Sequence, residues 1–280
     1  MTRILVLGSV NLDYSASVSR LPVPGETITG ATLERIPGGK GANQALAAQR
    51  LGASVQLIAA VGNDANADDA LCLLRAAGVD LSRCVVKVEV PTGVALICVA
   101  ASGENHIVVA PGANAMLSPA DFELPDADAM ICQLEVPIAT ILSVVDEFAG
   151  FFCVNLAPAR EIDDAVLKRA DLLVVNETEA AWYGARLDLC SGFIATTLGA
   201  NGAQLTQRGI ELARVRAPAV EVVDSTGAGD AFTAALTIAL VEGMAPAAAL
   251  TSACAAGALA TTKRGAQPSL PTRAQLEAFT

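Results

Sequence analysis

Strand-length apolar runs alternate with helix-length runs rich in Ala and Leu along most of this chain, and that rhythm leaves few folds open. Strands are expected over 3–8, 55–61, 129–133, 151–155, 172–175, 192–197, 203–206 and 210–214. Helices are expected over 40–51, 67–77, 137–149, 163–169, 178–184, 229–242, 246–261 and 272–279. Such alternation builds an α/β fold, a mostly parallel central sheet with helices on both faces. Residues 12–36 and 84–110 break the pattern with strand-like pieces, including Thr27 to Arg35 and Val94 to Ala100, and no helix between them. These two insertions predict a small separate sheet within one domain spanning 1–280, since no linker or repeat divides the chain further.

Composition narrows the function classes. The chain is 53% apolar, yet no uninterrupted apolar run approaches the roughly 20 residues that span a bilayer. A formal net charge of −11 argues against nucleic acid, whose phosphates are met by a basic surface. It leaves ATP open, because backbone N–H groups and Mg²⁺ can meet a few phosphates. Seven cysteines without a Cys-x-x-Cys pair, and an N-terminus that runs straight into Ile4 to Leu7, read as reduced thiols in a cytoplasmic protein. The one histidine, His106, lies in a strand-like run and has no convincing triad partner.

Two glycine-rich segments carry the chemistry. Asp224-Ser225-Thr226-Gly227-Ala228-Gly229-Asp230 follows an apolar strand expected at Val220 to Val223 and opens an Ala-rich helix expected from about Ala231. A helix N-terminus offers free N–H groups and the positive end of the dipole, which together attract an anion. Asp230 reads either as a cap or as a base beside a transferring phosphoryl group. Upstream, Pro37-Gly38-Gly39-Lys40-Gly41-Ala42-Asn43-Gln44 precedes a second helix and supplies Lys40 and Asn43 for hydroxyls or an anion. By itself it reads equally as a tight turn. Neither segment has the P-loop spacing, and Gly8-Ser9-Val10-Asn11 is not a dinucleotide fingerprint.

Together, in this order and spacing, the two segments resemble the signatures of the ribokinase family of sugar kinases. Seven further runs fall in family order: Gly8 to Asp13, Pro24 to Thr27, Thr92 to Leu96, Pro111 to Asn114, Gln133 to Glu135, Asn176 to Glu179 and Thr197 to Gly202. Lys263 to Ser269 closes the match. The resemblance implies a ribokinase-like fold whose small sheet is a lid, with a homodimer joined through the lids. It also implies ATP-dependent phosphorylation of a sugar, with D-ribose at the 5-hydroxyl the expected acceptor. Asp230 would be the base, with the N–H groups of Gly227, Ala228 and Gly229 stabilising the moving phosphoryl group. The sugar would be held by Asn11, Leu12, Asp13, Gly39, Lys40, Gly41, Ala42, Asn43 and Glu135. ATP would lie along Asn176, Glu179, Thr197, Leu198, Gly199, Ala200, Asn201, Gly202 and Cys254, with Glu179 acting on Mg²⁺ through water. Asp224, Thr226, Ala260, Lys263, Gly265 and Ser269 match a K⁺ site.

Local readings compete with several of these roles. Asp13 also reads as a turn residue after a strand, and Asn176 with Glu179 as a capping box. The chain departs from the family at three places. The stretch Trp182 to Phe193 is shorter than the helix usually found there, Cys254 stands where a His or Asn is common, and Asp64-Ala65-Asn66-Ala67 lacks the usual glycine. Alternative acceptors are 2-deoxyribose, a ketohexose or a nucleoside; a different class of reading is a catalytically silent sugar-binding regulator on the same scaffold.

Overall fold

The computed structural model describes residues 1–102 and 104–280. It opens with β1 (Arg3–Leu7), where Ile4 and Val6 enter one core while Leu5 and Leu7 enter another. A strand apolar on both sides needs cover on both sides. The same split recurs in β4 (Ser54–Gly62), β8 (Ala129–Gln133), β9 (Phe151–Asn155) and β10 (Leu172–Asn176). Joined by β5 (Cys84–Lys87), β11 (Phe193–Thr197), β12 (Ala203–Gln207) and β13 (Ile210–Val215), they form, among the described residues, a nine-stranded sheet ordered β13-β12-β11-β10-β9-β8-β1-β4-β5. Pairing is parallel except where β12 meets β11 and β13.

One face is covered by α1 (Lys40–Arg50), α2 (Ala65–Ala77), α6 (Ala228–Val241) and α7 (Pro246–Ala260). The other is covered by α3 (Ile138–Ser143), α4 (Asp164–Arg169) and the region of α5 (Glu177–Tyr183). The alanines of α6 and α7 have a spatial purpose. At Gly257 a Cβ would fall 3.2 Å from the carbonyl oxygen of Ala228, so the two backbones are close enough for α7 to brace the first turn of α6. Local chemistry sets the helix ends: Asp64 caps α2, left-handed Gly78 stops it, and a capping box opens α5.

The small sheet is ordered β3-β2-β6-β7, from β2 (Asn11–Val18), β3 (Thr32–Gly38), β6 (Gly93–Ala100) and β7 (Asn105–Ala110). Its register puts Asp13, Ile36, Ala95 and Val109 on one face. The opposite face carries Tyr14, Leu96 and Val108, with Ala16, Leu33 and Cys98 beside them.

Several expectations are corrected. Cys84–Lys87 pairs in parallel with β4 and belongs to the central sheet, not to the insertion at 84–110. Asn11–Asp13 opens the small sheet, so Asp13 is a strand residue and not a turn. Val220–Val223 is not a strand: Val223 and Asp224 instead give their N–H groups to the carbonyl of Thr261. The helix expected over 137–149 stops at Ser143. In the shortened 182–193 stretch, a 3₁₀ turn over Gly184–Leu189 replaces the missing helix. Tyr183 fills the space beneath it, buried and donating its hydroxyl to the carbonyl of Arg160 at 2.8 Å, whereas Trp182 stays exposed and stacks edge-on against it.

Candidate active site

β1 pairs with β4 on one side and β8 on the other, so the winding of the sheet reverses between β1 and β8. Parallel sheets bind ligands at the carboxyl ends of their strands, at such a reversal. Ser9 and Asn11 follow β1 there, and Glu135 follows β8. Gln133, Asn155, Asn176 and Thr197 are the last residues of β8, β9, β10 and β11. Polar side chains ending otherwise apolar strands are the signal by which Gln133 and Asn155 could have been found from sequence.

The first glycine-rich segment seats α1 against this crevice. Gly39 has φ 88°, and a Cβ there would lie 2.7 Å from the amide N of Asn11; one on Gly41 would lie 2.4 Å from the amide N of Ser9. No side chain fits either gap. The first amides of α1 are spent inside the protein. Lys40 N donates to Glu135 Oε2 at 3.0 Å, Gly41 N to Ser9 Oγ at 3.3 Å, and Ala42 N to the carbonyl of Ser9 at 2.8 Å. The side chains of Leu12 and Ala42 are fully buried in the core.

Asn43 reaches the crevice, and joins the two motifs. Its Nδ2 donates to Asp230 Oδ2 at 2.9 Å, while its own Oδ1 is buried without a protein partner among the described residues. Gln44 Nε2 donates to Asp230 Oδ1 at 2.8 Å. Helix α6 begins at Ala228, earlier than expected, so Asp230 sits in its first turn. Left-handed Gly227 (φ 83°) makes that turn, and the N–H of Ala228 bonds to the Ser225 carbonyl at 3.3 Å. Gly229 is exposed, and a Cβ on it would meet nothing within 4 Å. Packing does not require glycine there, so the space is free for a ligand over the helix N-terminus.

Electrostatics single out the same groups. Burial pushes Asp230 upward, opposed by the Lys40 ammonium and by the hydrogen bonds from Asn43 and Gln44. Asp13 is pushed up to about 7, first by burial and then by the Glu135 and Asp230 carboxylates. Burial works against the Lys40 ammonium, but Asp230, Glu135 and Glu179 outweigh it and hold its pKa above the ordinary value. A site with several carboxylates around one ammonium is a place to bind hydroxyls and move a proton. Asn11 is held for that task by Asn114, which sequence reasoning left out of the site: its Nδ2 donates to Asn11 Oδ1 at 2.8 Å while its Oδ1 accepts from Val10 N at 2.9 Å.

Where β10 gives way to α5, Asn176 and Glu179 form the reciprocal capping box that the local reading allowed, at 2.8 Å in each direction. Glu179 is nevertheless buried, and burial raises its pKa against the Asn176 N–H and Lys40. Thr197 ends β11, and Leu198–Gly202 form a tight turn closed by Leu198 N to the Gly202 carbonyl at 2.8 Å. Ala200 and Asn201 are exposed at its tip. Cys254 is buried on α7, and burial pushes its thiol up to about 11. Asp224 clasps its own loop and the next: Oδ1 accepts from Thr226 N and Oγ1 at 2.9 and 2.6 Å, and Oδ2 from Gly265 N at 2.8 Å. Ser269 is buried nearby on the short helix α8 (Ala266–Ser269), Ala260 ends α7, and the Lys263 side chain is exposed.

A buried acid in the first turn of a glycine-opened helix, at the reversal of a parallel sheet, fits phosphoryl transfer to a hydroxyl. Residues 1–273 match the family model described as pfkB family carbohydrate kinase, and the chain belongs to that family. It is 34% identical to the ribokinase of Haemophilus influenzae, covering 99% of this chain and 97% of that one. The crystal structure of ribokinase from Thermotoga maritima superposes with a TM-score of 0.91 at 31% identity, covering 100% of this chain and 99% of the other. The structure of Arabidopsis thaliana ribokinase complexed with ribose and ATP gives 0.89 at 29% identity, covering 99% and 98%. Among the described residues, no helix is long and apolar enough to cross a membrane.

Proposed function

We propose that this protein transfers the γ-phosphoryl group of ATP to the 5-hydroxyl of D-ribose, with Asp230 as general base. One observation carries the reading: a buried carboxylate, held by Asn43 and Gln44, lies in the first turn of a helix whose Gly229 opens onto free space. Phosphoryl transfer is mostly positioning and charge stabilisation, with one group to accept the hydroxyl proton. Asp13 and Asn11 bind neighbouring ring hydroxyls, a carboxylate accepting two hydrogen bonds at once. The partnerless Oδ1 of Asn43 takes a third hydroxyl, and Glu135, tied to Ser9 and to the Lys40 amide, forms the floor. Lys40, the amide of Gly229 and the dipole of α6 meet the transferring phosphoryl group.

The nucleotide lies over Thr197–Gly202 toward Cys254. Glu179 commits Oε2 to its cap; its other oxygen would help hold Mg²⁺, which would supply charge neutralisation on the phosphates. The Asp224 carboxylate and the carbonyls of two clasped loops are hard oxygen donors, fitting a monovalent cation such as K⁺. Asp224 and its clasped loop would hold the ion, and the charge it supplies would steady the turn that leads into Gly227. The small sheet acts as a lid on one kinase domain, pairs with a second copy, and the enzyme works in the cytoplasm.

Purified protein is to be assayed for ATP-to-ADP turnover with D-ribose, 2-deoxyribose, ketohexoses and nucleosides. The expected result is the highest kcat/KM for ribose, because a site that pairs two neighbouring hydroxyls is left with an unpaired carboxylate lone pair by 2-deoxyribose. A higher value for another acceptor would replace the substrate. Sugar binding without turnover of any acceptor would make the protein a regulator on a kinase scaffold.

A further inference from the structure

Behind Asp230 runs a series of buried amides to which the scheme above gives no contact with substrate. Gln44, fully buried, uses both hydrogens of Nε2: one meets Asp230 Oδ1 at 2.8 Å and the other meets Asn155 Oδ1 at 3.1 Å. Its carbonyl oxygen accepts from Gln133 Nε2 at 2.6 Å. Asn155 in turn donates Nδ2 to the main-chain carbonyl of Val174 on β10 at 3.2 Å. A main-chain carbonyl can only accept. Asn155 must therefore turn its NH₂ toward Val174 and its oxygen toward Gln44. Gln44 must answer with its own NH₂, and its second hydrogen is left for Asp230. One backbone carbonyl sets the polarity of the whole series.

Asn43 on the other carboxylate oxygen has no such anchor. Its Nδ2 meets Asp230 Oδ2 at 2.9 Å, but its Oδ1 is buried without a protein partner among the described residues. Turning it end for end breaks no other bond to the described protein residues, and a sugar hydroxyl that donates to Oδ1 can accept from Nδ2 instead, since a hydroxyl does both. We infer that Gln44 is a positioning residue that keeps Oδ1 of Asp230 a permanent acceptor and directs the proton of the sugar hydroxyl to Oδ2. A proton on Oδ1 would face the N–H of Gln44, whereas a proton on Oδ2 is met by the oxygen of a turned Asn43. In the transfer, the sugar O–H bond breaks and its proton goes to Oδ2. The sugar oxygen bonds to the γ-phosphorus, and the bond from that phosphorus to the bridging oxygen breaks with its electrons leaving on ADP.

The inference rests on Asp230 as base, so its test must separate the two. Lys40 from α1, Glu135 after β8 and Asp13 from β2 face the same carboxylate and stay unchanged in every variant below. The rate of single-turnover transfer at saturating ribose and ATP is to be followed across about pH 5.5 to 9 in wild type, Gln44→Met and Asn155→Leu. Removing a hydrogen bond made to the charged form raises the pKa of the acid. In Gln44→Met the rate should fall roughly 10- to 100-fold and its acidic limb should move up by about one pH unit, with the KM of both substrates within about threefold. Asn155→Leu frees the Gln44 amide from its anchor and should move the limb the same way by less. If Gln44→Met does not fold, Asn155→Leu decides alone. A limb that stays at its wild-type position, or a loss shared equally by KM and rate, overturns the inference. Asp230→Asn with a wild-type rate would remove the base itself. An inactive Asp230→Asn beside an unmoved limb would remove only the role of Gln44.

Discussion

Asn43 and Asp230, 187 residues apart, meet at 2.9 Å through Nδ2 and Oδ2. That bond is where the two glycine-rich segments become one site. It also ties α1 to the first turn of α6, so a change in either helix is felt at the carboxylate.

Asp230→Asn removes the proton acceptor but keeps the size of the side chain. We expect kcat to fall roughly 10²–10⁴-fold with the KM for ribose close to wild type, the pattern for losing a positioned base. Steady-state kinetics on a variant with an unchanged melting temperature checks it. Retention of more than about a tenth of kcat would sink the assignment.

Gly229→Ala separates packing from catalysis. Its Cβ meets no protein atom within 4 Å, and alanine suits a helix better than glycine. Stability should stay level or rise by about 0.5–1 kcal/mol, while kcat/KM for ATP drops at least about tenfold because the methyl stands where the phosphoryl group passes. Unimpaired kinetics would show that the phosphates lie elsewhere.

Asp13 yields a pH signature. Its folded pKa of about 7 lies above the ordinary carboxyl value of 3.8, so the folded protein holds this proton over the interval between them. The stability it contributes is full below the lower value and is lost as pH rises through about 7. Asp13→Asn should therefore melt several degrees higher than wild type near pH 8, the gap closing toward pH 5, for a screened effect of about 1–3 kcal/mol. The same titration should make the wild-type KM for ribose fall as pH rises through about 7, as the carboxylate becomes a double acceptor. Calorimetry and a KM profile read the two halves separately; equal melting temperatures at both pH values would remove the stability argument.

The cation reading predicts that replacing Na⁺ or Li⁺ by K⁺ at fixed ionic strength raises kcat, and that Asp224→Ala abolishes the difference while lowering kcat. An ion held by Asp224 and its clasped loop acts through the turn at Gly227 and not on the sugar. Ribose KM should accordingly not respond. Indifference to the monovalent ion would remove the site.

In the small sheet and the segments leading into it, Ile28, Val94 and Val99 are half-buried, whereas Val23, Leu33, Leu96, Ile107 and Val108 are exposed. Leu33, Leu96 and Val108, each more than half exposed, share one face of the small sheet. Bare apolar sheet faces favour pairing with an identical copy. Light scattering should find a dimer at micromolar concentration, and Leu96→Glu with Val108→Lys should shift it to monomer. A wild-type monomer with full activity would leave that face to another purpose.

The alternation of β1, α1, β4 and α2 was legible in the order of residues, because a strand apolar on both faces and a helix with one apolar side are local patterns. So were Gly39, Gly227 and Asp230, since positive φ and a helix N-terminus leave marks within a few residues. Local signals misled where a partner far along the chain decided the outcome. Val220–Val223 has the composition of a strand but bonds to Thr261, and Cys84–Lys87 sits in an insertion yet pairs with β4. Leu12 and Ala42 stood inside binding motifs, but burial spent their side chains on the core. Gln44 stood in the upstream glycine-rich segment and Gln133 and Asn155 ended apolar strands, but nothing local said what their amides would bond to. Only packing placed them against one another and so made Asp230 an acceptor from the anchored Gln44 amide on one oxygen and from Asn43 on the other. Sequence determines what each residue can donate or accept; the tertiary structure decides which groups lose their water and must answer one another.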